Sequence, residues 1–436
     1  MAFAQKFESS VIIPVFNHWN LTKKCLETLA TTIQGKSVEV IVIDNASTDE
    51  TSEECSTTGR ELFSHNFVYH RCLQNCNFGP ASNIGAQIAR GEYLIFLNND
   101  TELLPGWYEP LLSDFSTYPD IGASGPILLY PAREPFGWTV QHLGIFVAPD
   151  LHVGHLYEGI PATSALTKKR RFFQCITAAC MMLRRSVFLQ IGQFDEEYRN
   201  GIEDVDLCAR LFDKGYRMTV NPASRIIHHT SQTEGRHTHE QKNYEHFLQH
   251  SVKLLVPDWH FHCKNDGLVL RISPWQTFEV SLPEDQEKKL DSLLDHASFD
   301  ELRDILVQYP FWKEGWRALL QKTSSPEMQT ASLYRKLYCT LLFFEKSWLC
   351  DKPLRQTLIG DLISFCKPWE KLVRSAQSMR TWNEQIGLKE IAGQYTHWVN
   401  TADTFRTQLY EPFLEKCWRI MQPQCLSPSD SQAYVL

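Results

Sequence analysis

Carboxylate and amide side chains stand at the ends of apolar segments in the first hundred residues. Asp44 closes the segment VEVIVID, and Asn98, Asn99 and Asp100 close EYLIFLNND. An aspartate beside amides suits a hard divalent cation, because Mg²⁺ and Mn²⁺ prefer oxygen ligands and take few protein carboxylates when substrate phosphates fill other positions. Asp100 is thus a candidate metal ligand, with a helix cap or a turn as the alternative. Asp44 is a candidate for hydrogen bonds with a nucleotide's ribose or base, again with a turn as the alternative.

A second acidic group lies in the segment GIEDVDLCARLFDKGY. Glu203, Asp204 and Asp206 fall in the first turn of a helix predicted over 203–215, where the helix dipole favours negative charge. Capping and an Asp206–Arg210 ion pair at i,i+4 spacing are sufficient to explain these residues. The functional interpretation is that one of the carboxylates is a general base in a cleft.

Two consecutive histidines, His228 and His229, follow the residues RII in a predicted strand. Successive side chains of a strand point to opposite faces, so at most one of the two faces a given metal ion. Eight of the sixteen histidines lie between residues 228 and 262, which makes a zinc site an alternative. We disfavour it, because no histidine pair there combines with cysteines at the spacing of a structural zinc site.

The segments that must position these residues alternate between strand and helix patterns over residues 9–130. Strands are predicted over 10–16, 38–44, 67–73 and 92–98, and helices over 21–32, from 48–49 onwards and over 80–88. Short apolar strands separated by helices are typical of a mostly parallel sheet covered on both faces. Ligands of such sheets bind at the carboxyl ends of the strands, so the polar residues there are expected to share a site.

The chain is predicted to contain two domains and a tail. Beyond the strands just described the pattern is mixed, with extended pieces such as QHLGIFVAP. From residue 280, leucine, phenylalanine and tryptophan recur at three- and four-residue spacing, which is typical of helices. A helix pair is expected over 298–321, with Trp312 and Trp316 in the core. The predicted divisions are an α/β domain over 1–270, a helical domain over 280–425 and a flexible tail over 426–436.

Composition excludes several classes of protein. The 436 residues are 43% hydrophobic and 22% charged, which is typical of a globular protein of two or three domains. The net charge of −8 argues against nucleic acid as the main partner, because that affinity comes mostly from cationic side chains. The sequence shows neither a signal-peptide pattern nor the ~20 apolar residues of a membrane span. We interpret the thirteen cysteines as reduced and mostly buried, and expect a cytoplasmic protein whose contact with a membrane, if any, is peripheral.

Three motifs that indicate other chemistry are absent from the sequence. There is no G-x-G-x-x-G after the first strand, no G-x-x-x-x-G-K-[ST] and no G-x-S-x-G. Dinucleotide cradles, Walker-type phosphate loops and nucleophile elbows are therefore disfavoured.

Taken together, the motifs resemble those of family 2 glycosyltransferases with the GT-A fold. The resemblance covers roughly residues 9–240, and its motifs follow the family's order. They are VIIPVFN, VIDNASTDET, NCNFGPASNIGAQIARGEYLIFLNNDTEL, TAACMMLRRSVFLQIGQFDEEYRNGIEDVDLCARLFDKGY and RIIHHTSQTEGR. The resemblance implies the α/β class, with a Rossmann-like, mostly parallel sheet that binds a nucleotide sugar, followed here by an α-helical C-terminal domain.

The resemblance also assigns roles to the residues that match the family's motifs. It implies that Asp204 is the catalytic base and that Asp100 and His228 contact the metal, with His229 as the alternative to His228. Asn98 replaces the first carboxylate of the family's D-x-D motif. The residues that it places around the donor nucleotide are Pro14, Asn17, Asp44, Asn77, Asn83, Asn98, Asn99 and Arg236.

The function implied by the resemblance is transfer of one sugar, with inversion, from a nucleotide-diphosphate donor to an acceptor hydroxyl. UDP-sugars are favoured as donors, Mn²⁺ or Mg²⁺ is the expected cofactor, and the expected acceptor is a glycan, a glycolipid or other lipid-linked glycan, or a protein, as in polysaccharide biosynthesis. The motif Q-x-x-R-W of processive synthases is absent.

The alternatives are a catalytically inactive nucleotide-sugar-binding scaffold and a nucleotidyltransferase. A nucleotidyltransferase usually carries a glycine-rich loop after its first strand, and VIIPVFNHWN has no glycine. The helical domain is expected either to bind the acceptor or a partner protein, or to cover the catalytic domain or form a homodimer.

Overall fold

The computed structural model describes residues 7–133, 136–229, 239–273, 276–322 and 369–412. These residues fall into two compact units. The first holds the chain up to His262 together with Arg303–Pro310, and the second holds Cys263–Leu302 and the residues from Phe311 onwards. Two predictions, the role of Arg236 and the flexible tail over 426–436, lie outside the described residues.

Strands and helices alternate through most of the first unit. The strands of the described residues are β1 Ser9–Val15, β2 Val38–Asp44, β3 Phe67–Arg71, β4 Tyr93–Leu97, β5 Thr101–Leu103, β6 Ile121–Arg133, β7 Gly137–His142, β8 Ile145–Val147, β9 Val153–His155, β10 Arg171–Phe173, β11 Cys180–Arg184, β12 Arg217–His228, β13 Val269–Ile272 and β14 Phe278–Ser281. The α-helices are α1 Trp19–Thr32, α2 Thr51–Phe63, α3 Phe78–Ile88, α4 Tyr108–Thr117, α5 Arg185–Gln190, α6 Glu203–Asp213, α7 Glu240–His250, α8 Trp259–Asn265, α9 Glu284–Asp291, α10 Phe299–Gln308, α11 Lys313–Gln321, α12 Trp369–Gln385, α13 Lys389–Asn400 and α14 Ala402–Phe405.

Ten strands of the first unit form one sheet. Its order is β10-β12-β6-β11-β4-β1-β2-β3, with β5 beside β12 and β7 beside β6. The strands β4, β1, β2 and β3 pair in parallel, and six of the eight strands along this path point the same way, with β10 and β11 reversed. The predicted α/β class, with the mostly parallel and Rossmann-like sheet expected of the GT-A fold, is therefore confirmed.

The centre of this sheet is covered on both faces. Every residue of β1 and β2 is buried, which explains why these strands are apolar runs rather than alternating ones. Val11 and Val42 belong to the same core cluster as Leu26 of α1. Helix α3 approaches β1 closely because Gly85 has no side chain: a Cβ there would lie 2.4 Å from Cγ2 of Ile12.

The strand register brings polar residues to one edge of the sheet. The carboxyl ends of β1, β2 and β4 meet there because these strands are parallel neighbours. Just after β4, the N–H of Asn98 donates to the carbonyl of Ala179 at 2.9 Å. Thr101 of β5 pairs with His228 at the end of β12. Because β5 is a strand, the alternative in which Asp100 caps a helix is wrong.

The C-terminal part of the described chain is helical apart from the antiparallel pair β13–β14, as predicted. The helix pair expected over 298–321 is present as α10 and α11. Trp312 and Trp316 are buried, and the indole N–H of Trp312 donates to Oδ1 of Asp291 at 2.8 Å. Their prediction as core residues is confirmed. Among the described helices, none combines the length and the apolar character needed to cross a bilayer.

The described cysteines are mostly buried, as predicted. These eight residues are free thiols, and six of them are buried. Burial raises the pKa of Cys25 and of Cys55 to about 12. Both thiols therefore stay protonated at neutral pH.

Candidate active site

A cavity of about 340 Å³ opens at the carboxyl edge of the sheet. Its walls come from β1, residues 98–100, the segment from β7 to β9, residues 177–179, the start of α6 and the end of β12. Asp100, Asp204 and His228 all line it. The fold thus gathers into one cavity the candidate metal ligands and the candidate base.

Asp100 and His228 lie side by side. Oδ1 of Asp100 is 3.0 Å from Nε2 of His228, and the two side chains are 11% and 4% exposed. On the other side of the ring, Nδ1 lies 2.9 Å from Oε1 of Gln141. Nε2 also lies 3.2 Å from Nδ2 of Asn98. The contacts with the two amides favour the tautomer in which Nδ1 carries the proton and Nε2 keeps its lone pair.

The pair fits a divalent cation. Adjacent ligands of an octahedral ion with bonds of ~2.1 Å are separated by about 3.0 Å. The separation of Oδ1 of Asp100 from Nε2 of His228 is 3.0 Å. No group of three or more His, Cys, Asp or Glu side chains in the described parts of the chain is arranged to hold a metal. A site built on this pair therefore leaves the remaining positions to substrate phosphates and water, as Mg²⁺ and Mn²⁺ sites often do.

Asp204 reaches the cavity from the first turn of α6. Ile202, which precedes the helix, has φ of +74°, an unusual conformation for a β-branched residue that turns the chain into the helix. Oδ2 of Asp204 accepts the N–H of Ala178 at 3.0 Å, and Oδ1 accepts the N–H of Val205 at 2.9 Å. The carboxylate is thus held from two sides, and each oxygen keeps a lone pair for a substrate.

The two acidic neighbours of Asp204 are engaged by nearby protein groups. Asp206 and Arg210 form the predicted i,i+4 ion pair at 2.7 Å. Oε2 of Glu203 accepts the N–H of Gly201 at 2.5 Å. The structural interpretation of the acidic cluster is therefore confirmed for Asp206.

Asp44 stands at the same edge of the sheet but is not among the described lining residues of the cavity. It is fully buried, and its Oδ1 accepts the N–H of Ser47 at 2.8 Å. Its Oδ2 accepts two hydrogen bonds, one from the hydroxyl of Tyr69 and one from Nη1 of Arg71, each at 2.6 Å. Burial and the hydrogen bond to Asp44 raise the pKa of Tyr69. The carboxylate thus anchors the loop after β2 and the end of β3.

The other residues assigned to the nucleotide fall into two groups. Those among the described cavity lining are Pro14, Asn77, Asn98 and Asn99. Asn17 and Asn83 instead make contacts within the protein. Oδ1 of Asn17 accepts the N–H of Thr48 at 2.7 Å. The amide of Asn83 bonds both the N–H and the carbonyl of Phe194, at 3.1 and 2.9 Å.

His228, and not His229, faces the cavity. Nε2 of His229 lies 2.7 Å from Oε1 of Glu102, and His229 is not among the described lining residues. The alternation of side chains along β12 predicted that only one of the two would face a given site.

Negative charge dominates the described lining of the cavity. Its ionisable side chains are three carboxylates and three histidines, and it contains no lysine or arginine. Behind this wall lies His142, which is buried. Burial, followed by the neighbouring His155 and His228, holds the pKa of His142 well below its ordinary value. His142 therefore adds no positive charge at neutral pH.

Sequence reasoning missed Gln141 and His155, which both line the cavity. Besides its contact with His228, Gln141 presents its carbonyl 3.0 Å from Nδ1 of His155. The segment QHLGIFVAP was interpreted only as an extended piece. Its signal was the polar pair Gln141–His142, which ends β7 just before the apolar residues of β8, because buried polar side chains require hydrogen-bond partners.

Comparison with known proteins finds a family match for part of the chain. Residues 10–192 match the family described as Glycosyl transferase family 2. The chain is 31% identical over 228 residues to the O-antigen biosynthesis protein RfbC of Myxococcus xanthus, covering 51% of this chain and 17% of that protein. It is 27% identical over 217 residues to an N-acetylglucosaminyl-diphospho-decaprenol L-rhamnosyltransferase of Mycobacterium tuberculosis, covering 46% of this chain and 69% of that protein.

Among solved structures, the crystal structure of GalNAc-T7 with UDP, GalNAc and Mn²⁺ aligns with a TM-score of 0.44 and 19% identity, covering 53% of this chain and 45% of that chain. The chain spans less than a third of the length of the first two curated relatives that it matches. The family match runs from β1 into the residues after α5 and contains Asp100, while Asp204 and His228 follow it. Residues 10–192 of this chain therefore match glycosyl transferase family 2, the family that the motifs resemble.

Proposed function

We propose that this chain is an inverting, metal-dependent glycosyltransferase. It moves one sugar from a nucleotide-diphosphate donor, with UDP-sugars favoured, to an acceptor hydroxyl. The observation that carries the proposal is that one cavity is lined by the Asp100–His228 pair and by Asp204. The reaction needs a site for a cation on the diphosphate and a base for the hydroxyl, and these residues supply both.

The charge of the cavity supports a metal. Departure of a nucleoside diphosphate leaves negative charge on phosphate oxygens, and the described lining offers carboxylates and no lysine or arginine to meet it. A divalent cation held by Asp100 and His228 supplies Lewis-acid stabilisation of that charge. The imidazole ligand favours a transition metal such as Mn²⁺ over Mg²⁺.

Asp204 acts on the acceptor. Because the N–H groups of Ala178 and Val205 hold its carboxylate, a hydroxyl that enters the cavity meets an oriented base. The acceptor oxygen forms a bond to the anomeric carbon while the bond from that carbon to the diphosphate oxygen breaks. The hydroxyl proton passes to Asp204, and the nucleoside diphosphate leaves. A positioned general base contributes a factor of ~10²–10⁴ to the rate.

Direct displacement inverts the anomeric carbon. A retaining reaction by double displacement requires a protein nucleophile in addition to the acid–base residue. Glu203, the third carboxylate of the described lining, is held by the N–H of Gly201 on its own loop. This arrangement supports a single attack by the acceptor with Asp204 as base.

The names of two relatives support a class of acceptor. RfbC is named for O-antigen biosynthesis, and the rhamnosyltransferase is named for N-acetylglucosaminyl-diphospho-decaprenol. We therefore favour a glycan or a lipid-linked glycan as the acceptor of this chain. With a lipid-linked acceptor, the protein would work at a membrane surface.

The test compares two substitutions on α6. UDP release from a panel of UDP-sugars with Mn²⁺ is measured with and without glycan and lipid-linked glycan acceptors. Asp204→Asn is expected to lower acceptor-dependent release by about 10²–10⁴-fold, while the thermal shift produced by UDP and Mn²⁺ stays that of the wild type. The matched control is Asp213→Asn at the exposed end of the same helix, which should change neither quantity.

Two outcomes count against the proposal. Undiminished turnover by Asp204→Asn refutes the assignment of the base. Binding of UDP by the wild type without release of UDP for any sugar and acceptor favours the binding scaffold.

A further inference from the structure

We propose that Gln141 is a positioning residue that prepares His228 to bind the cation. The inference rests on the proposed function, because it concerns the cation held by Asp100 and His228. It gives a role to a residue at the end of β7 that no sequence motif assigned.

Gln141 selects the tautomer of His228. Gln141 is 6% exposed and His228 is 3% exposed, so neither relies on bulk water for its hydrogen bonds. Oε1 of Gln141 lies 2.9 Å from Nδ1 of His228. A carboxamide oxygen accepts and does not donate, so this contact favours the tautomer with the imidazole proton on Nδ1. Nε2 then keeps its lone pair beside Oδ1 of Asp100, at 3.0 Å.

Gln141 is also the amide partner that persists when a cation binds. Asn98 supports the same tautomer, because its Nδ2 lies 3.2 Å from Nε2 of His228. That contact uses the lone pair that a cation needs, so it is lost on binding. The contact on Nδ1 lies on the far side of the ring and is kept. Partners of this kind fix the ring orientation of metal-binding histidines and their tautomer.

Loss of the Gln141 acceptor favours the wrong tautomer. Without the oxygen of Gln141, the buried Nδ1–H group of His228 has no acceptor from residue 141. Leaving a buried donor without a hydrogen bond costs free energy. The ring relieves this cost by moving the proton to Nε2, where it is donated to the carboxylate of Asp100. The proton then occupies the space between the two ligands, and a cation must displace it before binding.

The side chain can be changed without removing the other contact that Gln141 makes. Nδ1 of His155 lies 3.0 Å from the carbonyl oxygen of Gln141, which belongs to the main chain. A substitution at residue 141 keeps this carbonyl. Its effect on the site should therefore come through His228.

The experiment measures Mn²⁺ affinity of the full chain by electron paramagnetic resonance of free Mn²⁺, with and without UDP. Gln141→Met, which keeps the length of the side chain and removes the acceptor, is expected to weaken Mn²⁺ binding by about 10–100-fold. Gln141→Glu keeps an acceptor for Nδ1–H and should stay within a few-fold of the wild type. Binding of UDP without metal should be the same in all variants, which a general distortion of the cavity would not allow.

The matched control is Gln174→Met. Gln174 is 5% exposed, and its amide bonds the N–H and the carbonyl of Val256 at 2.9 and 2.6 Å, away from the cavity lining. This variant should lose thermal stability and keep its Mn²⁺ affinity.

The proposal is overturned by equal Mn²⁺ affinity of the wild type and Gln141→Met, or by failure of Gln141→Glu to bind Mn²⁺ better than Gln141→Met. Should Gln141→Met not fold by circular dichroism, Gln141→Asn, one methylene shorter, takes its place, and unchanged Mn²⁺ affinity there has the same meaning. These results leave the proposed function standing. A wild type that transfers sugar in EDTA and binds no Mn²⁺ overturns both this inference and the proposed metal dependence.

Discussion

Asp44 and Asp100 stand at equivalent places in the sheet and have opposite surroundings. Each lies at the carboxyl end of a parallel strand, β2 or β4, on either side of β1. Asp44 is fully buried, and its Oδ2 accepts hydrogen bonds from Tyr69 and Arg71. Asp100 instead contacts His228 and lines the cavity. The same residue type at the same edge is thus an internal anchor in one case and a candidate ligand in the other.

A different strand reaches each aspartate, and that strand decides between the two outcomes. Strand β3 places Arg71 beside Asp44 in the register of the sheet, so the protein itself neutralises that carboxylate. Strand β12 places His228 beside Asp100, and in the tautomer described above this histidine is a second electron-pair donor. Arg71 neutralises Asp44 within the protein, whereas Asp100 is proposed to bind a cation from solution.

The largest expected effect is a loss of sugar-transfer activity on substitution of Asp100, which distinguishes it from Asp44. Asp100→Asn should lower kcat/KM for sugar transfer by about 10³-fold, because a metal Lewis acid contributes several kcal/mol to the transition state. Mn²⁺ affinity, measured by electron paramagnetic resonance, should fall with it. The control is Glu102→Gln, whose carboxylate contacts His229. Equal losses in the two variants would mean that the region, and not the ligand, is responsible.

The next effect concerns stability. Asp44→Asn removes the charge that Arg71 and Tyr69 contact, and hydrogen bonds to a charged group contribute about 1.5–3 kcal/mol. The free energy of unfolding in urea should fall by roughly that amount, while Mn²⁺ affinity of the folded protein stays near that of the wild type. We discount the larger penalty of a fully buried ion pair, because the side chain of Arg71 is 42% exposed.

A double-mutant cycle sharpens this prediction. Arg71→Met breaks the same ion pair from the other side, so the double variant should be little less stable than Asp44→Asn alone. Additive losses would show that the two residues stabilise the protein independently. A loss of Mn²⁺ affinity in Asp44→Asn comparable to that in Asp100→Asn would remove the distinction between the two aspartates.

The smallest expected effect is a loss of stability on substitution of Asp49, in the loop that Asp44 anchors. Asp49 accepts the N–H groups of Trp19 and Thr51, the first residues of α1 and α2. Burial of the Asp49 carboxylate opposes ionisation, but the hydrogen bonds from Thr51 and Trp19 outweigh it and hold its pKa below the ordinary 3.8. Asp49→Ala should cost about 0.5–2 kcal/mol at pH 7, the range for a side chain that accepts an N–H group at the start of a helix.

The sign of the pH dependence follows from the lowered pKa of Asp49. Its contribution to stability is present above the unfolded-state pKa and is lost as the pH falls through the lower pKa of the folded state. Urea unfolding of the wild type and of Asp49→Ala should therefore differ at pH 7 and converge below pH 3.8. The exposed neighbour Glu50, changed to alanine, is the control. A difference that stays constant down to pH 3 would contradict the role of the Asp49 charge.

The local sequence pattern was sufficient to predict the strands and helices and the contacts of some residues near the site. The apolar run over 38–44 predicted β2, which spans Val38–Asp44. A completely buried parallel strand leaves a mostly apolar segment in the sequence, interrupted within β2 by Glu39, which pairs with Arg90. The i,i+4 spacing of Asp206 and Arg210 similarly predicted an ion pair that depends on one helix alone.

Gln141 could not be predicted in this way, because its role depends on contact between distant segments. It lies 87 positions from His228, and β7 reaches the site through an irregular pairing with β6. The sequence pattern around Gln141 does not predict which side chain will contact His228. Only the pairing of β7 with β6, and of β6 with β12, brings the two residues together.

The sequence by itself determined which residues are available for chemistry and that parallel strands would deliver many of them to one edge. Tertiary structure decided what each of them does there. Asp44, Asp100 and Asp204 have the same functional group, and they differ in the donors, cations and cavity walls that other segments bring to them. A carboxylate's role follows from its electrostatic surroundings, and those are set by contacts that are long-range along the chain.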